Sequence, residues 1–130
     1  MCRNQWAVLR TFIMTATTTV LLAACAGGGS TSTPASGPGR GQEIAKNSGC
    51  ASCHGSAFRG GVGPSWVALA GSEVKLSDGS TVVADDRYLF NAIRDPGAEI
   101  VAGFGAQMPR NSLSDEDINE IIAFIKSLTD

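Results

Sequence analysis

The chain has 130 residues, of which 43% are hydrophobic and 17% are charged, and its formal net charge is −2. These values are ordinary for one small globular domain. They exclude the strongly basic balance that binding to nucleic acid through a charged surface requires.

The N-terminal segment has the pattern of a secretory signal peptide. Residues 1–10 carry two arginines and no acidic residue, residues 11–22 are mostly apolar or β-branched, and Ala23 and Ala24 follow as small residues. The apolar stretch is shorter than the roughly 20 residues that a membrane-spanning helix needs, so we favour cleavage over a retained signal anchor. We therefore predict a signal peptide over residues 1–24.

The next residue, Cys25, completes a Leu-Ala-Ala-Cys sequence. This sequence resembles the lipobox of bacterial lipoproteins, in which the cysteine thiol receives a diacylglycerol and becomes the mature N-terminus. The alternative is an incidental cysteine beside an ordinary cleavage site. We predict lipid attachment at Cys25, which would hold the protein on the extracytoplasmic, periplasmic side of a bacterial membrane.

Residues 26–39 consist only of Gly, Ser, Thr, Pro and Ala. Such a stretch has no large side chain to bury and is typical of a flexible tether. We therefore expect a lipidated N-terminus and linker over residues 25–39 and a folded domain over residues 40–130.

The first half of the folded domain predicts one helix and one hairpin. A short helix is expected over residues 40–48, before a glycine. Residues 74–76 and 81–83 have the composition of short strands and flank Asp78 and Gly79, which together form a strong hairpin-turn signal.

The second half predicts two further helices. One begins at Asp85 and Asp86 and ends before Pro96, since the residue before a proline disfavours helical geometry. The other begins at Ser114, with Asp117 in the position of a capping-box acid. Apolar residues then recur at helical spacing: Ile118, Ile121, Ile122, Ile125 and Leu128. The predicted fold class is mainly α, with short helices and a small β-hairpin insertion.

Cys50, Cys53 and His54 form a Cys-x-x-Cys-His motif, which is the signature of c-type haem attachment. The two thiols bind the haem vinyl groups and the histidine becomes an axial ligand of the iron. A thioredoxin-like redox pair would lie in a βαβ unit, which this sequence does not predict. A zinc site would need four ligands, and the mature chain offers only one histidine and two cysteines for it. We therefore predict one covalently attached haem c.

Met108 is the predicted second axial ligand. His54 is the only histidine, which excludes a bis-histidine haem, and Met1 and Met14 lie in the predicted signal peptide. A lone methionine usually fills a core. Because Met108 precedes the rigid Pro109 in a glycine-rich loop between two helices, we favour iron ligation. A thioether opposite an imidazole raises the reduction potential and closes the iron to other ligands.

Together these features resemble class I c-type cytochromes with a single haem. The resemblance rests on residues 49–54, Gly63-Pro64, Met108-Pro109 and the closing helix. It is closer still to the cytochrome c domain fused to subunit II of some bacterial haem–copper oxidases, through these segments: 71–82, 95–103 and 113–118. Here we expect such a domain as a stand-alone lipoprotein. The resemblance implies a cytochrome c fold wrapped around the haem.

The resemblance also implies roles for residues around the haem. The Pro64 carbonyl is expected to accept a hydrogen bond from Nδ1 of His54, which would fix the imidazole and tune its basicity. Trp66 and Leu69 are expected to line the haem pocket.

Further expectations concern the helices and the rim of the pocket. Gly41 is where the first and last helices would cross closely, against Phe124. Phe104 departs from the tyrosine of many relatives, which puts a phenolic hydrogen bond toward the haem edge in doubt. For three arginines we favour solvated surface positions over pairing with the haem propionates: Arg59, Arg87 and Arg94.

The sequence therefore predicts a membrane-tethered mono-haem cytochrome rather than an enzyme. It would transfer single electrons in a respiratory chain, to a terminal oxidase, with membrane-bound redox complexes as donor and acceptor. We expect neither a nucleic acid nor a small-molecule substrate as a partner. The alternatives are a fixed cytochrome subunit of a larger oxidase or quinol-oxidising complex and, with an open iron position, a haem-based sensor or peroxidase.

Overall fold

The computed structural model describes residues 36–130, so the predicted signal peptide, Cys25 and most of the predicted linker lie outside the described residues. Within this range the chain is mainly helical with one small hairpin, as predicted. No helix of this range combines the length and the apolar character needed to cross a membrane. The elements follow in the order α1 (Pro38–Asn47), α2 (Ala51–His54), β1 (Glu73–Lys75), β2 (Thr81–Val83), α3 (Asp86–Arg94) and α4 (Asp115–Ser127).

Helices α1 and α4 cross with their backbones in contact. α1 starts with a proline in its first turn, where the missing N–H costs no hydrogen bond, and it buries Gly41 and Ala45. A Cβ atom added at Gly41 would lie 1.9 Å from the carbonyl oxygen of Glu120 and 2.8 Å from Cβ of Phe124. Only a glycine therefore fits, and the close crossing that the resemblance implied is present.

Helix α4 begins where the sequence predicted. The Ser114 hydroxyl accepts a hydrogen bond from the Asp117 backbone N–H at 3.1 Å and donates one to the Asp117 carboxylate at 2.9 Å. In a capping box with Glu, the carboxylate reaches back to the backbone N–H of the cap residue. Aspartate is one methylene shorter, and here its carboxylate bonds the serine hydroxyl instead.

Helix α3 also has the predicted ends. The Asp85 carboxylate accepts a hydrogen bond from the Tyr88 backbone N–H at 2.7 Å, and the helix stops at Arg94, ahead of Asp95 and Pro96. The helix buries Tyr88, Leu89 and Ile93. This face packs against α4.

The hairpin forms around the predicted turn, with its first strand one residue earlier than expected. Glu73–Lys75 pairs antiparallel with Thr81–Val83, and Gly79 takes the positive φ that the turn needs. Leu76, expected at the end of this strand, instead forms an isolated bridge with Val101. The hairpin is therefore fastened to the segment that leads toward Met108.

The buried apolar residues form one core that all three longer helices share. Phe58, Ile118, Ile121 and Ile125 are its largest fully buried side chains. Half-buried apolar side chains pack around it, Cys50 and Leu69 among them. The core thus reaches the Cys-x-x-Cys-His motif directly.

The start of α1 is held by a carboxylate from α4. Gly37, which precedes the helix, has no capping side chain; its N–H donates to Oε2 of Glu120 at 2.6 Å, and the Ser36 hydroxyl donates to Oε1. The hydrogen bond from Ser36, followed by that from Gly37, holds the pKa of Glu120 below its ordinary value. Glu120 therefore links the beginning of the domain to its last helix.

Replacing Gly41 should lower stability, because the atoms that a new Cβ would meet are the backbone of Glu120 and Cβ of Phe124, which cannot rotate away. We expect Gly41→Ala to lower the unfolding free energy of the haem-loaded protein by about 3 kcal/mol, the upper end for overpacking. Gly39→Ala is the matched control, since a Cβ there meets nothing within 4 Å. The control should be neutral or stabilising by up to about 1 kcal/mol. Denaturant unfolding measures the unfolding free energy of both variants. Equal values for Gly41→Ala and Gly39→Ala would contradict the close crossing of the two backbones.

The Glu120 contact should make stability depend on pH. Because folding lowers the pKa of Glu120, its contribution is complete above the ordinary value of 4.5 and is lost as pH falls through the folded-state value. We expect Glu120→Gln to be less stable than the wild type at pH 7, with the difference shrinking below pH 4.5. Glu43→Gln, an exposed position on α1, is the control and should show no such convergence. A difference between wild type and Glu120→Gln that does not change with pH would contradict this role.

Candidate haem-binding site

One turn of helix brings the motif residues together. After α1 the chain reverses at Gly49, whose φ is +79°, and the Cys50 N–H donates to the Ala45 carbonyl at 3.0 Å. The His54 N–H then donates to the Cys50 carbonyl at 3.0 Å. Cys50, Cys53 and His54 thus occupy positions that are neighbours on a helical surface. Cys50 and Cys53 form no disulfide, and burial raises the pKa of the Cys50 thiol.

The imidazole of His54 is buried and presents one nitrogen for ligation. It is 6% exposed, and its Nδ1 lies 2.8 Å from the Pro64 carbonyl oxygen. A carbonyl can only accept a hydrogen bond, so Nδ1 carries the hydrogen and Nε2 keeps its lone pair. Burial lowers the pKa of His54, against the opposing effect of the bond to Pro64. A neutral imidazole with a free Nε2 is the form that binds a metal.

The loop after α2 folds back over this imidazole. Its register is set by backbone bonds from Gly60 to the His54 carbonyl and from Gly63 to the Cys53 carbonyl, both 2.9 Å. A Cβ at Gly63 would lie 3.1 Å from Cε1 of His54, so only a glycine allows this approach without displacing the ring. The Trp66 ring lies 4.9 Å from the imidazole, centroid to centroid. The same short loop therefore supplies both the hydrogen bond and the packing.

A mainly apolar cavity opens beside the motif. Its volume is about 350 Å³, within the range of about 300–1,000 Å³ typical of small-molecule and cofactor sites. A smaller cavity of about 120 Å³ adjoins it on the side of Cys50. Both are lined by the same central residues: Cys53, His54, Trp66, Ile93, Met108 and Pro109. Pro64 and Leu69 line the larger cavity and Cys50 lines the smaller one, so every predicted haem-binding residue borders one of the two.

Met108 is half-buried, in a loop that is pinned to the end of α3. The Asn111 side-chain amide donates to the Ile93 carbonyl at 2.7 Å, and Arg110 pairs with Asp95 at 2.9 Å. These contacts attach the loop that carries Met108 to α3 and to Asp95, the residue that follows it. Asn111 could not be predicted from the sequence, because an asparagine in an irregular loop carries no signal of its distant partner.

Charged groups are sparse around the cavity. Within residues 36–130, Lys75 is the one lysine or arginine that lines the larger cavity, and Arg110 lines the smaller one. None of the three arginines considered from the sequence lines either cavity, and Arg94 instead donates to the Leu113 carbonyl at 2.8 Å and pairs with Asp115. Tyr88 also lines the larger cavity, and burial, together with the charge of Glu99, raises its pKa. Lys75 and Tyr88 on the larger cavity and Arg110 on the smaller one are therefore among the described residues able to meet haem carboxylates, and none of the three was considered for this role from the sequence.

The donor set fits a haem better than a bare metal ion. The described residues contain no group of three His, Cys, Asp or Glu side chains able to hold a metal. They contain instead two free thiols, one buried imidazole nitrogen and one thioether around an apolar space. A macrocycle that supplies four ligands of its own needs only two more from the protein.

The cytochrome c family model matches residues 39–129, well over half of the chain. The chain belongs to the cytochrome c family. Its fold is therefore the cytochrome c fold, and the family implies covalently bound haem c and electron transfer. A comparison with curated proteins finds no match.

Proposed function

We propose that this cytochrome carries a single haem, ligated by His54 and Met108, and passes single electrons along a respiratory chain from a membrane-bound donor to a terminal oxidase. The observation that carries the proposal is the buried His54, with a free Nε2, on the same apolar cavity as Met108. Two axial side chains on one cavity favour a carrier over a sensor or peroxidase, which need an open iron position.

The haem, when bound, supplies an iron that changes oxidation state by one electron. The polypeptide attaches and orients the haem and keeps water away from it. Cys50 and Cys53 hold the macrocycle covalently, and Pro64 keeps the His54 imidazole in one tautomer and orientation. The apolar cavity walls exclude water, which disfavours the extra charge of the ferric state and so raises the reduction potential.

Exposed apolar side chains around the cavity support electron exchange at this edge. Among the described residues, four large hydrophobic side chains are exposed, and three of them line the cavity: Val62, Ile100 and Phe104. Single exposed hydrophobic residues are normal when they are scattered over a protein surface, but these three lie around one cavity. Their position around the cavity suits brief, small contacts with redox partners, which are typical of electron-transfer encounters.

The proposal includes a lipid tether on the periplasmic side. A diacylglyceryl group on Cys25 supplies the two chains that stable membrane attachment needs. Ser36 and Gly37 are bound to Glu120 and α1 begins at Pro38, so the tether consists of the ten residues from 26 to 35, whose fully extended reach is about 34 Å. Confinement within that distance raises the effective concentration of the haem domain at membrane-bound partners without any new contact.

Met108→Ala tests the axial ligation. The ferric wild type should show the weak near-infrared band of sulfur-to-iron charge transfer. The variant should lose this band, have a lower reduction potential and bind cyanide or carbon monoxide, because its iron is open. Ser112→Ala, at an exposed position of the same loop that lines neither cavity, is the control and should keep all three properties of the wild type. An unchanged spectrum in Met108→Ala would contradict the ligation and favour the sensor or peroxidase alternative.

Cys25→Ser tests the tether. We expect the variant to be released as a folded, haem-loaded cytochrome or to stay uncleaved, with an unchanged potential and slower electron delivery in membranes. Cys2→Ser, within the predicted signal peptide, should stay membrane-bound like the wild type. Cell fractionation, mass spectrometry of the N-terminus and oxygen uptake measure these outcomes. A correctly cleaved Cys25→Ser protein that remains on the membrane would show that a partner subunit, rather than the lipid, holds it.

A further inference from the structure

The loop behind His54 contains a strained residue. Phe58 has a φ of +57°, a left-handed conformation that is unusual for a bulky side chain and costs on the order of 1–3 kcal/mol. It is nonetheless among the most buried residues, at 1% exposed. Its N–H donates to the Gly55 carbonyl and its carbonyl accepts from the Trp66 N–H, both at 2.9 Å. The conformation thus ties the backbone of Phe58 directly to Trp66.

The strain brings three aromatic rings into a column that ends at the imidazole. The Phe58 ring stacks on Trp66, with centroids 4.6 Å apart and an interplanar angle of 18°. Trp66 in turn lies 4.9 Å from His54 at a tilt of 40°. At the other end, the edge of Phe124 meets Phe58 at 5.0 Å and 82°. Aromatic pairs of this kind contribute roughly 0.5–1.5 kcal/mol each, so three of them can offset the strain.

We propose that Phe58 and Trp66 are positioning residues that fix the rotation of the His54 imidazole about its bond from Nε2 to iron. The inference rests on the proposed ligation by His54. The hydrogen bond to Pro64 restrains one atom at the edge of the ring, and a ring held at one edge can still rock. Trp66 restrains the plane, and Phe58 holds Trp66 through both its ring and its carbonyl.

The rotation of an axial imidazole has a spectroscopic signature. Its plane decides which iron orbital overlaps with the nitrogen π system, and this sets the g-values of ferric haem and the spread of unpaired spin over the haem methyl groups. Loss of core packing alone lowers stability but leaves that orientation unchanged. Electron paramagnetic resonance and proton NMR of the ferric protein therefore separate a positioning role from a merely structural one.

The test uses the haem-loaded full chain and four variants. Phe58→Leu and Trp66→Leu remove one ring each and should replace the single ferric signal by a broadened or split one, with shifted haem methyl resonances. Trp66→Phe keeps a flat ring against His54 and should restore a single signal. Ile118→Val is the control, since Ile118 is a fully buried core side chain that lines neither cavity. It should lower stability and leave the ferric signal as in the wild type.

Either of two results would overturn the proposal. One is a ferric signal like that of the wild type in both Phe58→Leu and Trp66→Leu, which would show that these rings only fill the core. The other is a change in Ile118→Val as large as in Phe58→Leu, which would indicate that any loosening of the core alters the ferric signal. If Trp66→Leu does not fold, Phe58→Leu decides, because it leaves Trp66 in place. Failure of the proposed function is distinguishable, since the wild type itself would then lack a low-spin ferric spectrum with His and Met ligands.

Discussion

Backbone contact between α1 and α4 at Gly41 determines how the His54 end of the molecule is packed. Because no side chain separates the two helices there, Phe124 of α4 lies directly beside α1 and its ring reaches Phe58. Phe58 stacks on Trp66, and Trp66 packs on the imidazole. The helix crossing and the candidate axial ligand therefore belong to one packed unit. A change at the crossing is expected to be felt at the ligand through these rings rather than through the intervening chain.

The part of the cavity wall that contains Met108 is held by other contacts. The segment that carries Met108 has no regular structure, and it depends on Asn111 and Arg110 for attachment to α3 and its end. The bridge between Leu76 and Val101 fastens the preceding segment to the hairpin. Between these anchors the chain faces an apolar space rather than packed side chains. A covalently held haem would pack against the residues that line this cavity, which couples haem attachment to folding.

Much of the fold could be predicted because its determinants are local. Ser114 and Asp85 cap helices through residues three positions away, and the positive φ of Gly79 is a requirement of its own turn. The motif residues of the site were predictable for the same reason. The left-handed conformation of Phe58 and the contact of Asn111 with α3 were not, because each depends on a partner that only the tertiary fold brings near. Neither residue type carries a sequence signal for that role.

The arrangement of the two proposed ligands bears on the choice between a carrier and a ligand-binding haem protein. A carrier works best when the iron keeps the same ligands in both oxidation states, since little then has to move with each electron. His54 is restrained by a hydrogen bond, a close backbone and an aromatic ring, and the loop of Met108 is restrained by its contacts with α3 and Asp95. In a sensor or peroxidase, one of the two side chains would have to leave the iron so that another ligand could bind. Because separate sets of contacts hold both sides, the packing around the cavity favours electron transfer.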